Sequence, residues 1–239
     1  MLGAAQARIQ RLLHRRGGTG AGLGDAVALV GQHHVLGSPI GQAALAPALP
    51  RKTTQVSADT HPRASPLEAL APLRPVYAGG VQTAGNSSAL VDGAAAAVVA
   101  GGGFVRDWAQ AQGRPPLARL RGAAAAGVPP EIMGIGPAPA IRALLARCGL
   151  ALADISLVEI NEAQGAQIIA CERELGLDRR RLNVNGGAIA IGHPLAATGV
   201  RLTLTLAKEL RRRGQRWGIA AACVGGGQGM ALLVENSAL

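Results

Sequence analysis

The chain has 239 residues, of which 49% are hydrophobic and only 2% aromatic. That suffices for a sizeable core filled by Ala, Leu, Val and Ile. Three widely spaced cysteines argue against a disulfide scaffold or a zinc finger and fit a reducing compartment, the cytoplasm. The net charge is +10, but with one Phe and one Tyr there is no stacking platform for single-stranded nucleic acid. Six basic residues within 1–52 face Asp25 alone, in an Arg-, Ala- and Gly-rich setting that reads as a compositional habit. No run of about 18 apolar residues escapes a charge, Gly or Pro, so no membrane span is expected.

Residues 1–50 carry a short helical pattern (Leu2, Ile9, Leu12, Leu13), a Gly-rich run and a Pro- and Ala-rich stretch. They read as an unassigned, poorly ordered lead-in. His33 and His34 are adjacent and have no ligand neighbours, so no metal site is expected. A helical turn follows over Leu67–Leu73, then a Gly-rich turn and an apolar run over 94–100. A polar helix is expected up to Gly113, a strand or short helix over 117–126, and a helix over Pro139–Cys148 closed by Gly149.

The remainder alternates. The spacing predicts a buried strand over Ile155–Ile160, a helix over Glu162–Leu175 stopped by Gly176, and a short strand over Leu182–Val184. After a Gly-rich bend, Pro194 is placed at the first position of a helix. Leu195, Leu202, Leu206 and Leu210 would lie on one face of it, and Arg211–Arg213 at its favourable dipole end. A strand over Trp217–Cys223, a turn over Val224–Gly229 and a return strand over Met230–Val234 complete the pattern. Alternating strands and helices argue an α/β layered sheet.

Asn161, His193 and Cys223 fall in loops or at ends that follow predicted strands, where open α/β sheets build their sites. A histidine at a helix start is disfavoured as imidazolium by the positive dipole end. The neutral ring can take a proton from a thiol or donate one to an oxyanion. The glycines after Cys223 let backbone N–H groups approach a reacting carbonyl.

Residues 51–239 resemble the thiolase family of CoA-dependent acyltransferases. The motifs are Asn161-Glu162-Ala163, NGGAIAIGHPLAATG over Asn185–Gly199, and CVGGGQG over Cys223–Gly229. TAGNSSALVDG over Thr83–Gly93 and the glycines around Met133 agree in order and spacing. The resemblance implies a layered α-β-α thiolase-like fold, with 51–113 the end of an incomplete N-terminal half and 114–239 the C-terminal domain. It implies thioester Claisen condensation or thiolytic cleavage of 3-ketoacyl-CoA. CoA thioesters are then the substrates, no cofactor is permanently bound, and the chain acts as a homo-oligomer or with a complementing thiolase half.

By the same resemblance, His193 would activate a nucleophilic cysteine and Cys223 would exchange the methyl proton of acetyl-CoA. Asn161, through a water, and His193 would form one oxyanion hole, and the Gly225 N–H would contribute to a second. Ser88 would contact the pantetheine arm and Met133 would line the acyl pocket. Three departures stand out. The nucleophilic cysteine that thiolases carry in their first half has no counterpart, since the first cysteine is Cys148. Cys148 and Cys171 fall within predicted helices, so neither replaces it. Gln164 stands where Phe or a small residue is usual, and Val91 replaces a common Asn. The competing readings are a non-catalytic thiolase-like module or fragment that needs a partner half, and a lipid-transfer protein of this fold.

Overall fold

The computed structural model describes residues 27–32, 57–59 and 61–238. His33, His34 and the helical pattern over 2–13 lie outside the described residues. Within the expected lead-in, Val27–Gln32 forms a strand, β1. The other strands are β2 (Ala96–Ala100), β3 (Ala118–Gly127), β4 (Leu157–Ile160), β5 (Trp217–Val224) and β6 (Gln228–Asn236). They form one sheet in the order β2-β1-β3-β6-β5-β4. All neighbours are antiparallel except β4 and β5, which run parallel. The helices are α1 (Leu67–Leu70), α2 (Gly102–Gln112), α3 (Pro137–Cys148), α4 (Gly165–Leu175), α5 (Ala188–Ile191) and α6 (Thr198–Arg213).

The two faces of the sheet follow from the alternation of side chains along its strands. Val158 and Ile160 of β4, with Ile219 and Ala221 of β5, pack with Ile141 and Leu144 of α3 and Ile168 and Cys171 of α4. Leu157 and Ala220 point the other way, onto Leu202, Leu206 and Leu210 of α6. The result is the layered α-β-α arrangement expected. Leu206 is 1% exposed, and burying such a side chain contributes about 2 kcal/mol. All four residues of 157–160 are buried, with Val158 and Ile160 on one face and Leu157 on the other, because helices cover both faces of this parallel edge strand.

Tertiary packing shifts several predicted boundaries. Helix α4 starts at Gly165, because Asn161–Gln164 crosses the sheet end as a loop. Leu182–Val184 is not a sheet strand. It makes only single bridges, Val158 with Leu182 and Val184 with Gly186. Helix α6 begins at Thr198, four residues after Pro194, and Leu195 is exposed rather than on the buried face. Pro194 instead accepts the main-chain N–H bonds of Ala197 and Thr198 that close a turn before the helix. The Gly-rich bend holds one helical turn, α5.

Two contacts hold the layers in register. Glu235 of β6 is 3% exposed. Its carboxylate lies 2.8 Å from Arg121 of β3 and 3.1 Å from Arg216 beside β5, so one buried anion ties three strands. At the other end of β6, Gly229 lies against the backbone of Gly136, where α3 begins. A Cβ at Gly229 would fall inside the van der Waals shell of the Gly136 carbonyl oxygen.

Gly229→Val should therefore separate β6 from α3 and cost about 3 kcal/mol, read as a lower urea midpoint. Glu209 of α6 is 5% exposed. Hydrogen bonds from Arg212 and Arg213 hold its carboxyl down to about 2. A depressed carboxyl contributes stability that is present above its unfolded value and lost as pH falls through the folded one. Glu209→Gln should flatten the loss of stability between pH 5 and 3, as checked by denaturant midpoints at the two pH values.

Candidate active site

The C-terminal ends of the parallel strands β4 and β5 open toward one edge of the sheet. Loop 161–164, the bend 185–194 and the 83–93 segment gather there. Their connections run through the main chain. The Asn161 N–H donates to the Ala221 carbonyl at 2.9 Å, which extends the β4–β5 ladder. The N–H of Ser88 and its hydroxyl both donate to the Ala163 carbonyl, at 3.0 and 3.1 Å. One residue on, the Ala89 carbonyl accepts the His193 N–H at 2.8 Å. Residues 88–89 thus strap the loop that carries Asn161 to the turn that carries His193.

The second residue of the Asn-Glu-Ala motif has a definite task. The Glu162 carboxylate accepts from Asn183 Nδ2 and from the Ile189 N–H, both at 3.2 Å. It presses on Gly187, where any Cβ would overlap the carboxylate. Asn183 is the one non-glycine residue at positive φ among the described residues, a conformation asparagine tolerates. Its amide pairs with both main-chain groups of Ile160, at 2.8 and 2.9 Å, in place of the strand expected over 182–184. Both residues lie in or beside the motifs, but their contacts join positions twenty residues apart and leave no local sequence signal.

His193 is held by its ring. Nδ1 lies 2.6 Å from Thr198 Oγ1, and that hydroxyl donates to the Pro194 carbonyl at 3.0 Å. A hydroxyl has one proton to give, so with that proton on the Pro194 carbonyl the ring donates from Nδ1. Nε2 is then the unprotonated nitrogen, the form in which a histidine accepts a proton. Burial, then the nearby Arg201 cation, lowers the histidine below its ordinary value and favours the neutral ring.

Cys223 lines a cleft of about 250 Å³ together with Pro130, Glu131, Met133, Gly134, Ala163, Gln164 and Gln167. Burial pushes its thiol up. Gln164 precedes α4 and its side chain makes no capping bond, so its amide is free to face the cleft. Gln167 is 7% exposed and its Oε1 has no partner. Cys171 lies deeper: it is fully buried, donates to the Gly134 carbonyl at 3.4 Å, and burial pushes its thiol up to about 11. A buried, protonated thiol is a packing residue rather than a nucleophile.

The expected site residues thus gather at one end of the sheet but on two faces. Cys223 and Met133 line the cleft on the α3–α4 side. Asn161 begins the loop after β4; it is 1% exposed, and its Nδ2 and Oδ1 are both without a partner. Neither Asn161 nor His193 is among the residues lining the cleft. Gly225 opens the exposed loop between β5 and β6, with free space beside it. Ser88 is committed to the strap through its hydroxyl.

With this geometry established, similarity to known proteins becomes informative. Residues 114–236 match the family pattern described as thiolase, C-terminal domain, and residues 46–102 that described as thiolase, N-terminal domain. The chain is 48% identical over 190 residues to the mitochondrial 3-ketoacyl-CoA thiolase of Bos taurus, covering 79% of this chain and 46% of that protein. It is 47% identical over 188 residues to the acetyl-CoA acetyltransferase of Escherichia coli, covering 78% and 47%. Among solved structures, the acetyl-CoA acetyltransferase of Bacillus anthracis superposes with a TM-score of 0.71 at 49% identity, covering 79% of this chain and 47% of that one. The chain therefore spans about half the length of these relatives. The C-terminal pattern alone matches more than half of the chain, in the region that carries α3 to β6 and every motif from Asn161 to Cys223, and on that ground the chain belongs to the thiolase family.

Proposed function

We propose that this chain carries the proton-transfer side of thiolase chemistry, the acyl-CoA:acetyl-CoA C-acyltransferase reaction. The observation that carries the reading is the His193–Thr198–Pro194 hydrogen-bond chain, which leaves a neutral imidazole with Nε2 free to act as a base. Cys223, one strand end away, lines a cleft of a size to admit a small acyl group. In this reading the Cys223 thiolate removes a proton from the methyl carbon of acetyl-CoA. The electron pair moves onto the thioester oxygen as an enolate. Asn161 stabilises that oxygen through a water, His193 does so once Nε2 has taken up a proton and can donate it, and the Gly225 N–H serves the acylated thiol. The enolate carbon then attacks an acyl group held as a thioester on a nucleophilic cysteine, whose thiolate leaves.

In this reading the covalent step belongs to a thiolase N-terminal half, and we assign assembly with such a half or with further copies as part of the function. CoA thioesters are the substrates, with Ser88 and Met133 on the pantetheine and acyl sides. No permanently bound cofactor is called for, since the base and the hydrogen-bond donors are all protein groups. The free cysteines Cys148, Cys171 and Cys223 support a reducing compartment, and we assign the chain to the cytoplasm. Among the described residues no helix is long and apolar enough to cross a membrane. The second reading is a non-catalytic thiolase-like module or a fragment that needs a partner half.

The two readings separate in one experiment. Hydrogen–deuterium exchange at the acetyl-CoA methyl, followed by NMR, needs a base and an enolate site but no covalent nucleophile. The purified chain should show slow exchange and make no acetoacetyl-CoA. Cys223→Ala should reduce the exchange by about 100-fold or more. An N-terminal thiolase half added in trans should restore condensation. No exchange at any enzyme concentration would leave the non-catalytic module as the function.

The exchange rate should also rise with pH. Burial holds the Cys223 thiol above its ordinary value, so the thiolate fraction keeps growing through the alkaline range. A pH profile from 6 to 10 that is flat would exclude this thiol as the base.

A further inference from the structure

The cleft beside Cys223 has a polar side that the reaction described above does not use. Pro130 and Met133 supply apolar wall, but Gln164 and Gln167 line the same space. Gln164 immediately precedes α4 and Gln167 lies in its first turn, three residues on, so the two share a side of the helix. Gln167 is 7% exposed, and its Oε1 has no partner among the described residues. A buried acceptor without a donor costs stability, and a methionine would fill the same volume without that cost. The oxygen therefore calls for an explanation, and its place on a cleft wall supplies one.

Neighbouring contacts decide which end of the amide is left over. Gln167 Nε2 donates to Cys171 Sγ at 3.8 Å, and that thiol donates to the Gly134 carbonyl at 3.4 Å. With its one proton on the carbonyl, the sulfur can only accept, so the NH2 end of Gln167 faces it and the oxygen end remains. The stem is held as well. Gly134, itself on the cleft wall, lies against it, and a Cβ there would sit 3.0 Å from Gln167 Cγ. The broad terminal torsion of a glutamine then lets Oε1 turn onto a group in the cleft. Gln164 makes no capping bond, so its NH2 is open to the same group. An acceptor and a donor on one wall match a group that both gives and takes a hydrogen bond. An alcohol does both and a hydrocarbon does neither. A carboxylate only accepts, and it would meet the acidic Glu131 on the same lining.

We propose that this cleft selects a short, uncharged acyl chain that carries a hydroxyl, with Gln167 Oε1 accepting the hydroxyl proton and the Gln164 amide donating to the hydroxyl oxygen. The inference names the substrate class of the site and rests on the thiolase reading for the thioester to which that chain is joined. Gln164 and Gln167 are then specificity-determining residues. They leave the chemistry to Cys223 and set which chain settles beside it. The amide N–H groups of the pantetheine arm are the other donors a CoA thioester brings, and the test separates the two sources.

The test reads occupancy of the cleft and needs no turnover. Alkylation of Cys223 by iodoacetamide in the full chain is followed by mass spectrometry of the peptides that carry the three free cysteines. It is run against rising concentrations of the pantetheine thioesters of butyrate, 3-hydroxybutyrate, 4-hydroxybutyrate and succinate. The better of the two hydroxyacyl esters should protect Cys223 at about one-tenth the concentration that the butyryl ester needs, the worth of one hydrogen bond to a buried group. Gln167→Met should bring the hydroxyacyl and butyryl esters to equal protection. Gln164→Met, at the helix boundary, should narrow the preference, and it decides the question if Gln167→Met fails to fold. Equal protection by the hydroxyacyl and butyryl esters in the wild type, best protection by the succinyl ester, a preference untouched by the variants, or no protection by any ester overturns the proposal. A loss of protection in Gln167→Met that is the same for every ester assigns the donor to the pantetheine amide and overturns it too. A hydroxyacyl preference without methyl exchange would sink the thiolase reading and leave this one standing, and methyl exchange without the preference would do the reverse.

Discussion

The carboxylate of Glu162 is the contact on which the arrangement of the site depends. It reaches across from the end of β4 to the Ile189 N–H and Asn183 Nδ2, and it does so through space that only a glycine at 187 leaves open. Without it, the bend that carries His193 would have no side-chain anchor to the strand end that carries Asn161. Charge-assisted bonds to main-chain N–H groups are the strong class of hydrogen bond, and here one of them spans two loops that the chain brings together late. The strap at Ser88 and Ala89 repeats the link from the outside, with main-chain groups and the Ser88 hydroxyl. Two independent ties of this kind hold loop geometry that a single flexible connection would not.

The chemistry sits on that frame in two layers. On one face the cleft offers a thiol and two amides, Gln164 and Gln167, among small residues. On the other, the ring of His193 is oriented by a hydroxyl that has already committed its own proton. The three cysteines differ for environmental reasons alone. Cys171 is buried under the cleft and bonded to a carbonyl, whereas Cys223 lies at the end of a strand beside open space. Reactivity follows access and stabilisation of the thiolate, so the same residue type packs in one place and can react in the other.

The sheet itself is asymmetric. Strands β4, β5 and β6 are enclosed by α3 and α4 on one side and α6 on the other, and Glu235 ties β6 to arginines of its neighbours. At the far edge β2 leaves Val98 and Val99 exposed. An exposed apolar edge strand is a ready surface for pairing.

Local pattern determined much of this protein. The β-branched run before Ile160, the apolar spacing of Leu202, Leu206 and Leu210, and the stops at Gly149, Gly176 and Gly214 marked the C-terminal elements, because periodicity and helix termination are local physics. The motif strings placed Asn161 and Cys223 at strand ends for the same reason, whereas His193 follows the helical turn α5 and not a strand. What only the tertiary structure decided were features whose partners are distant in the chain. The segment 182–184 looks like a strand, but the Asn183 amide takes the ladder bonds of Ile160 in its place. Pro194 looks like a helix start, but its turn accepts the bonds of Ala197 and Thr198 and delays α6 by four residues. The strand at Val27–Gln32 gains its identity from pairing with β2 and β3, not from its own pattern. The buried Glu159 and Arg201 are ordinary charged residues in sequence. Their exceptional surroundings arise only when β4 packs against α6, since burial is a property of the fold and not of the residue.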